Sequence, residues 1–225
     1  MEADSLLPTL LRPPFAAGLR SFFQLYGRWK VSGLENVPLC GPLLLAGNHS
    51  SDLDPLLAWS AIYKTRRMWG IAKSELWDPP GAPIVMSCLY GIPVKRGAAD
   101  MSMMRRVLYL LKQGEAVGIF PEGTRSADGK LQSAQPGLAW IAQKSGAPIT
   151  PVGIVGTHKM LPPGAKRLQR TPLTIRFGPA IHFSSDCPRT ELLDRVMAAI
   201  AEQMTLAGQP TDPPLPAASK ERESE

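Results

Sequence analysis

Short apolar runs and helical patterns alternate along the chain from residue 42 to residue 206. Apolar runs of about four to eight residues predict buried strands, and apolar positions three or four apart predict amphipathic helices. The predicted strands cover residues 42–47, 68–72, 91–95, 116–120, 149–155 and 173–177, and the predicted helices cover residues 55–64, 101–112, 136–144 and 191–204. This alternation predicts an α/β fold, a single domain with a largely parallel central sheet flanked by helices.

The segment that precedes this pattern, residues 1–41, contains one amphipathic stretch. On a helical wheel its large apolar residues fall within one arc of about 120°; they are Phe15, Leu19, Phe22, Phe23, Tyr26 and Trp29. Upstream, Arg12, Pro13 and Pro14 interrupt the apolar segment. An aromatic face with arginines opposite suits a membrane-interface helix. A helix packed on its own domain gives the same wheel, so both interpretations stay open.

The bounds of the domain follow from composition. Residues 42–206 form the predicted domain, and residues 207–225, first proline-rich and then charged, predict a disordered tail.

A transmembrane helix needs about 20 mostly apolar residues, and no run of that kind occurs. The first residues are acidic, unlike an export signal. We therefore expect a cytoplasmic protein without a transmembrane span, peripheral on the inner face of a membrane.

Charge and cysteine usage narrow the classes of partner. The formal net charge of +6 favours an anionic partner, such as nucleic acid, an anionic membrane or a phosphorylated small molecule. Aromatic residues make up 7% of the chain and are not interleaved with a basic run, so we predict no nucleic-acid partner. The three cysteines are widely spaced and the histidines lack ligand-like spacing, which predicts neither a disulfide framework nor a metal site.

The first candidate site is Gly-Asn-His-Ser-Ser-Asp-Leu-Asp-Pro, residues 47–55, at the end of a predicted strand. If Asp54 turns back to His49, its carboxylate fixes the tautomer of the imidazole and leaves the other ring nitrogen to take a proton from a hydroxyl. Asp52 is an alternative partner. A structural interpretation also stands, in which Asp54 and Pro55 only begin a helix.

Two further segments end at the same predicted edge of the sheet. In Ile-Phe-Pro-Glu-Gly-Thr-Arg-Ser, residues 119–126, Gly123 lets backbone amides approach a ligand and Arg125 matches phosphate oxygens. Lys73 ends one predicted strand, and Lys95 and Arg96 end the next. Cations at one edge of a parallel sheet predict an anion site, although solvated strand-end charges give the same pattern.

Taken in this order, the segments resemble the glycerolipid acyltransferase family that includes the 1-acylglycerol-3-phosphate acyltransferases. Its Asn-His-x-x-x-x-Asp motif is similar to residues 48–54, and its Phe-Pro-Glu-Gly-Thr-Arg-Ser motif stands intact at residues 120–126. Its Lys and Gly-x-hydrophobic-x-Arg strand are similar to Lys73 and residues 91–96, and its hydrophobic, proline-containing strand to residues 147–152. The motifs occupy residues 47–157, and the resemblance implies a glycerol-3-phosphate acyltransferase-like fold.

The resemblance also implies a reaction and roles for residues. His49 is the base that deprotonates the acceptor hydroxyl, Asp54 orients it, and the oxygen attacks the thioester of acyl-CoA or acyl-carrier protein. The implied co-substrate is thus one of these two thioesters, with no metal or other cofactor, and the acceptor is lysophosphatidate. The implied substrate-binding residues are Lys73, Arg96, Glu122, Gly123, Thr124 and Arg125. The extra Asp52 places a negative charge near an anionic acceptor.

Two other functions fit the same residues. An acyltransferase could serve another lysolipid or an aminolipid acceptor. A non-catalytic peripheral lipid-binding protein would keep the anion cleft and the basic helix but would not require His49. All of them predict contact with a membrane surface.

Overall fold

The computed structural model describes residues 5–94, 101–184 and 186–209. The strands are β1 (Lys30–Ser32), β2 (Leu43–Gly47), β3 (Met68–Lys73), β4 (Gly91–Val94), β5 (Ala116–Ile119), β6 (Ile149–Val155) and β7 (Thr174–Phe177). The helices are α1 (Leu6–Gly27), α2 (Asp54–Ile62), α3 (Ala82–Cys88), α4 (Met101–Lys112), α5 (Gly137–Ser145), α6 (Thr157–Met160) and α7 (Arg189–Leu206). Short 3₁₀ helices cover Leu34–Asn36 and Ser74–Trp77.

The strands form one sheet in the order β1-β7-β6-β2-β5-β3-β4. The strands from β6 to β4 run parallel to one another, and β7 pairs with β6 in the antiparallel direction. The carboxyl ends of β6, β2, β5, β3 and β4 therefore meet at one edge, where α/β sheets commonly bind ligands. The predicted α/β fold with a largely parallel sheet is confirmed.

The sheet divides the hydrophobic core into two layers, and β2 shows why. All five of its residues are buried. Leu44 and Ala46 pack on one side with α4, α5 and α7, whereas Leu43 and Leu45 pack on the other side with α1 and α2. Successive side chains of a strand point to opposite faces, so a continuous apolar run is what a strand covered on both faces requires.

The long helix α7 lies directly against β6. A Cβ atom added at Gly153 would come within 2.5 Å of the backbone carbon of Gln203. The missing side chain therefore permits the close approach of helix and strand, and buried residues of α7 such as Val196 and Ile200 complete that layer of the core.

Helix α1 is longer than the predicted amphipathic stretch. It begins at Leu6 and so includes Pro13 and Pro14, which lie before the predicted start at Phe15. Interior prolines cost a helix about 3 kcal/mol, but Arg12 is buried and donates from Nε to the carbonyl of Cys88 in α3 at 3.1 Å. Helix α1 is thus bonded to α3 at the residue that directly precedes its two prolines.

The aromatic face of α1 packs on the domain itself, as the second interpretation of the wheel expects. Phe23 is fully buried, and the Phe15 ring lies 5.9 Å from that of Trp59 in α2. Arg20, on the opposite side of the predicted wheel, donates to the carbonyl of Ser60 at 2.9 Å. The exposed apolar residues of α1 lie mainly in its first turns; they are Leu6, Leu7, Leu10, Leu11 and Leu25.

Strand β1 and helices α3 and α6 were not predicted, since their three, seven and four residues are too few for a pattern to repeat clearly. None of the helices among the described residues combines the length and the apolar composition of a transmembrane span. The predicted tail, residues 207–225, lies outside the described residues from residue 210 onward.

Candidate active site

The site lies at the carboxyl edge of the parallel strands. His49 follows β2, Phe120 follows β5, and Lys73 is the last residue of β3. Leu45 and Gly70 both pair with Gly118 of β5. Lys73 lies three residues beyond Gly70, and residue 48 lies three residues beyond Leu45. Lys73 and residue 48 therefore reach the same level of the sheet edge, two strands or about 10 Å apart.

His49 and Asp54 form the pair at the centre of the site. His49 Nδ1 lies 3.0 Å from Asp54 Oδ2, with the His49 side chain 16% exposed and that of Asp54 fully buried. An ionised carboxylate only accepts hydrogen bonds, so the Nδ1 atom carries the proton and Nε2 retains its lone pair. The partner of the imidazole is therefore Asp54 and not Asp52, and the ring is held in the tautomer of a general base.

Asp54 is also held by the chain around it. Its Oδ2 atom accepts the backbone N–H groups of Ser50 at 2.6 Å and Ser51 at 2.7 Å. Asp54 is the first residue of α2 and Pro55 follows it, but the carboxylate makes no capping hydrogen bond to the helix. It contacts His49 and the loop before the helix instead, so Asp54 begins α2 by its position and not as a side-chain cap.

The loop of His49 is fixed to the neighbouring strand by Asn48. The backbone N–H of Ile154 in β6 donates to Asn48 Oδ1 at 2.7 Å, and Asn48 Nδ2 donates back to the Ile154 carbonyl at 2.9 Å. The buried amide side chain continues the pairing of β2 with β6 beyond Gly47. Asn48 therefore sets the direction in which the chain leaves the sheet and presents His49.

Glu122 supports the main chain of His49. Its Oε1 atom accepts the His49 backbone N–H at 2.6 Å and its Oε2 atom accepts the N–H of Gln132 at 3.0 Å. The residue is 2% exposed. This geometry departs from the expectation that Glu122 contacts the acceptor, since both oxygens already serve the loop. The backbone N–H of Ser126 also donates to the His49 carbonyl, at 2.8 Å.

The electrostatics of Glu122 follow from its burial. Burial raises the pKa of Glu122 to about 7; the hydrogen bonds from His49 and Gln132 oppose that shift, and the charge of Asp54 adds to it. The folded protein then binds a proton more tightly than the unfolded chain does. Between the ordinary pKa of 4.5 and about 7, the contribution of Glu122 to the free energy of unfolding therefore falls as pH rises.

The ring of Phe120 stacks on the imidazole of His49, with centroids 4.1 Å apart and planes at 15°. Together with the bond to Asp54, this contact fixes both the plane and the rotation of the imidazole. The face of an aromatic ring attracts a cation, so Phe120 also stabilises the protonated ring formed during proton transfer. No role for Phe120 follows from the sequence alone, because the contact depends on the register of β5 with β2.

Arg125 lies beside the same loop. Its Nη1 atom is 2.5 Å from Asp52 Oδ2, with the Arg125 side chain 23% exposed and that of Asp52 69% exposed.

Gly123 has a positive φ of 70°, and an added Cβ would lie 3.0 Å from Gln135, so the turn after Phe120 requires glycine. Thr124 is exposed. Arg96, the remaining predicted phosphate ligand, lies outside the described residues.

The described part of the chain contains no cluster of three or more His, Cys, Asp or Glu side chains that could hold a metal ion. The chemistry that its residues provide is a carboxylate-supported imidazole on a loop that also contacts a guanidinium through Asp52. This combination defines a class of site in which a histidine takes a proton from a hydroxyl and a nearby cation binds an anionic group.

The family model described as Acyltransferase matches residues 28–155, and the chain belongs to this family. A chloroplastic 1-acyl-sn-glycerol-3-phosphate acyltransferase of Brassica napus is 35% identical over 159 residues, which are 68% of this chain and 45% of that protein. The 1-acyl-sn-glycerol-3-phosphate acyltransferase of Bacillus subtilis is 29% identical over 193 residues, which are 84% of this chain and 92% of that protein.

A solved structure supports the same assignment. The crystal structure of the 1-acyl-sn-glycerophosphate acyltransferase PlsC from Thermotoga maritima superposes with a TM-score of 0.73 at 27% identity, covering 91% of this chain and 83% of that chain. The chain spans about half the length of the plant relatives that it matches. The resemblance found from the motifs is thus confirmed at the level of the family.

Proposed function

We propose that this protein transfers a fatty acyl group from a thioester donor to the free hydroxyl of 1-acyl-glycerol-3-phosphate, giving phosphatidate for phospholipid synthesis. The observation that carries the proposal is the pair formed by His49 and Asp54 at the carboxyl edge of the sheet. Relatives named for this activity support the choice of reaction and of acceptor.

In the proposed reaction His49 Nε2 takes the proton of the acceptor hydroxyl while the oxygen attacks the carbonyl carbon of the thioester. The carbon–sulfur bond breaks, the thiolate leaves and takes up the proton from the imidazolium, and an ester and a free thiol result. Asp54 stabilises the imidazolium because its charge lies 3.0 Å from Nδ1. General-base help of this kind contributes about 10²–10⁴ in rate.

The acceptor phosphate is proposed to bind at the cations of the same edge. Arg125 supplies a planar group that matches phosphate oxygens, and the half-buried Lys73 ends β3 two strands from the strand that leads to His49. Gly123 and Thr124 form the exposed turn next to Arg125. The donor is proposed to be acyl-CoA or acyl-carrier protein, with no other cofactor.

The protein is proposed to work at the inner face of a membrane. Leu6 and Leu10 in the first turns of α1 are 75% and 63% exposed, and apolar side chains of this kind bind the acyl boundary of a bilayer. The net charge of +6 favours an anionic leaflet. Replacing both leucines by Glu should weaken cosedimentation with anionic vesicles. Unchanged binding would refute a role for these residues.

The test of the reaction is a product assay with the parent protein and His49→Ala. Acyl-CoA or acyl-carrier protein is supplied with lysophosphatidate, another lysolipid or an aminolipid, and products are identified by mass spectrometry. We expect phosphatidate from the parent, a decrease of about 10²–10⁴ in rate for the variant, and lysophosphatidate binding that stays within about twofold because no binding group is removed.

His182→Ala is the matched control. His182 is exposed and follows Ile181, which bridges to the first residue of β6, Ile149, at the opposite edge of the sheet. Equal turnover by His49→Ala and the parent would remove His49 as the base. Binding of lysophosphatidate without turnover by the parent would favour the lipid-binding protein, and preferred acylation of a different acceptor would favour that substrate.

A further inference from the structure

The side chain of Asp52 lies on the proposed phosphate ligand. Asp52 and Asp54 belong to the same short loop, but Asp54 is fully buried against His49, whereas Asp52 points outward and contacts Arg125. The Arg125 side chain is less exposed than that of Asp52, at 23% against 69%. The carboxylate is therefore the solvent-facing partner of this ion pair, and the guanidinium is the more buried one.

Asp52 is not needed to hold the loop that carries Arg125. On one side of Arg125, Glu122 accepts the backbone N–H of His49, and on the other side the N–H of Ser126 donates to the His49 carbonyl. These bonds involve main-chain groups and a buried carboxylate. They fix the position of residue 125 relative to His49 whether or not Asp52 is present.

We propose that Asp52 is an internal counter-ion that occupies Arg125 in the empty site and must be displaced by the phosphate of the acceptor. The inference rests on the proposed function for the identity of the acceptor, but it concerns any phosphate group that binds Arg125. An empty site that is neutralised in this way has a lower affinity for free phosphate. A lipid overcomes the competition because its apolar chain adds binding energy that a free anion lacks.

The size of the effect follows from the exposure of the pair. Exposed ion pairs contribute up to about 1 kcal/mol, and a difference of about 1.4 kcal/mol is tenfold in affinity. Removing the charge of Asp52 should therefore strengthen phosphate binding about two- to fivefold. The gain should shrink as salt rises, because exposed charges are screened.

The experiment measures binding of inorganic phosphate by ³¹P NMR titration in the parent and in Asp52→Asn. Glu35→Gln is the matched control, because Glu35 is exposed and follows β1, whose carboxyl end lies at the opposite edge of the sheet. We expect tighter binding in Asp52→Asn only, and no effect of the same substitution in an Arg125→Ala background. In acyl transfer, the KM for lysophosphatidate should fall by the same factor with little change in kcat.

Equal or weaker phosphate binding by Asp52→Asn, or a gain that persists without Arg125, would overturn the proposal. The proposed function and the counter-ion role of Asp52 can be refuted independently of each other. A parent that acylates no phosphate-bearing acceptor would refute the proposed function, while the phosphate titration would still decide the role of Asp52. A parent that acylates lysophosphatidate with a KM that Asp52→Asn leaves unchanged or raises would refute the counter-ion and leave the function standing.

Discussion

The replacement of Asp54 by Asn separates the two roles of this side chain. In the variant, the amide oxygen can take the place of Oδ2 and keep the bonds from the backbone N–H groups of Ser50 and Ser51. The amide nitrogen then takes the place of Oδ1, which has no hydrogen-bond partner among the described residues. The loop before α2 is thus preserved, and the negative charge beside His49 is lost.

The expected loss of activity follows from the geometry of the pair. When His49 accepts a proton, the new positive charge lies about 4 Å from the carboxylate, where the attraction is about 4 kcal/mol at an effective dielectric constant near 20. Asn forgoes most of this stabilisation, so kcat should fall about 10²–10³-fold, since 1.36 kcal/mol is tenfold in rate. A buried unpaired N–H should lower the free energy of unfolding by about 1–3 kcal/mol.

Two measurements check this prediction. Acyl transfer at saturating acyl-CoA gives kcat for the parent, Asp54→Asn and the control Glu35→Gln, and urea unfolding gives the stability of each. The control should keep kcat within about twofold, because its carboxylate lies at the opposite edge of the sheet. If Asp54→Asn folds normally and keeps kcat within about threefold of the parent, Asp54 has a structural role only and the proposed mechanism is wrong.

Two further substitutions test the surroundings of the imidazole. Glu122→Gln removes a carboxyl group whose pKa is raised to about 7. The free energy of unfolding of this variant, taken relative to that of the parent, should therefore rise by about 2–3 kcal/mol from pH 5 to pH 8. A difference between variant and parent that is the same at both pH values in urea unfolding would contradict this. Phe120→Leu removes the ring that stacks on His49 and should lower kcat about two- to fivefold with little change in KM; steady-state kinetics with unchanged kcat would show that the stacking is incidental.

Several parts of the fold could be predicted because their cause is local. The strand β2 is a continuous apolar run between Pro42 and Asn48, and α4 was predicted with the bounds that the structure has, Met101–Lys112. The short β1 and α6 could not be predicted, since three or four residues show no period and exist only through pairing and packing. The long α1 was predicted in part, because contact with α3 overrides the two prolines inside it.

The site was also predictable only in part. The order of the motifs placed His49, Lys73 and Arg125 at strand ends, and parallel strands bring such ends to one edge. Whether the imidazole contacts Asp52 or Asp54 depends on the direction of each side chain, which the spacing leaves open. The inward position of Glu122 likewise depends on a turn that only the packed loop defines.

The sequence by itself therefore determined the α/β alternation, the family and the set of polar residues at the strand ends, because periodicity and motif order are properties of the chain. The tertiary structure decided which face of α1 is buried, which carboxylate supports His49, and which one neutralises Arg125. Those outcomes depend on contacts between residues far apart in sequence, such as His49 with Phe120 and Asp52 with Arg125. Neither the period of a helix nor the spacing of a motif specifies such contacts.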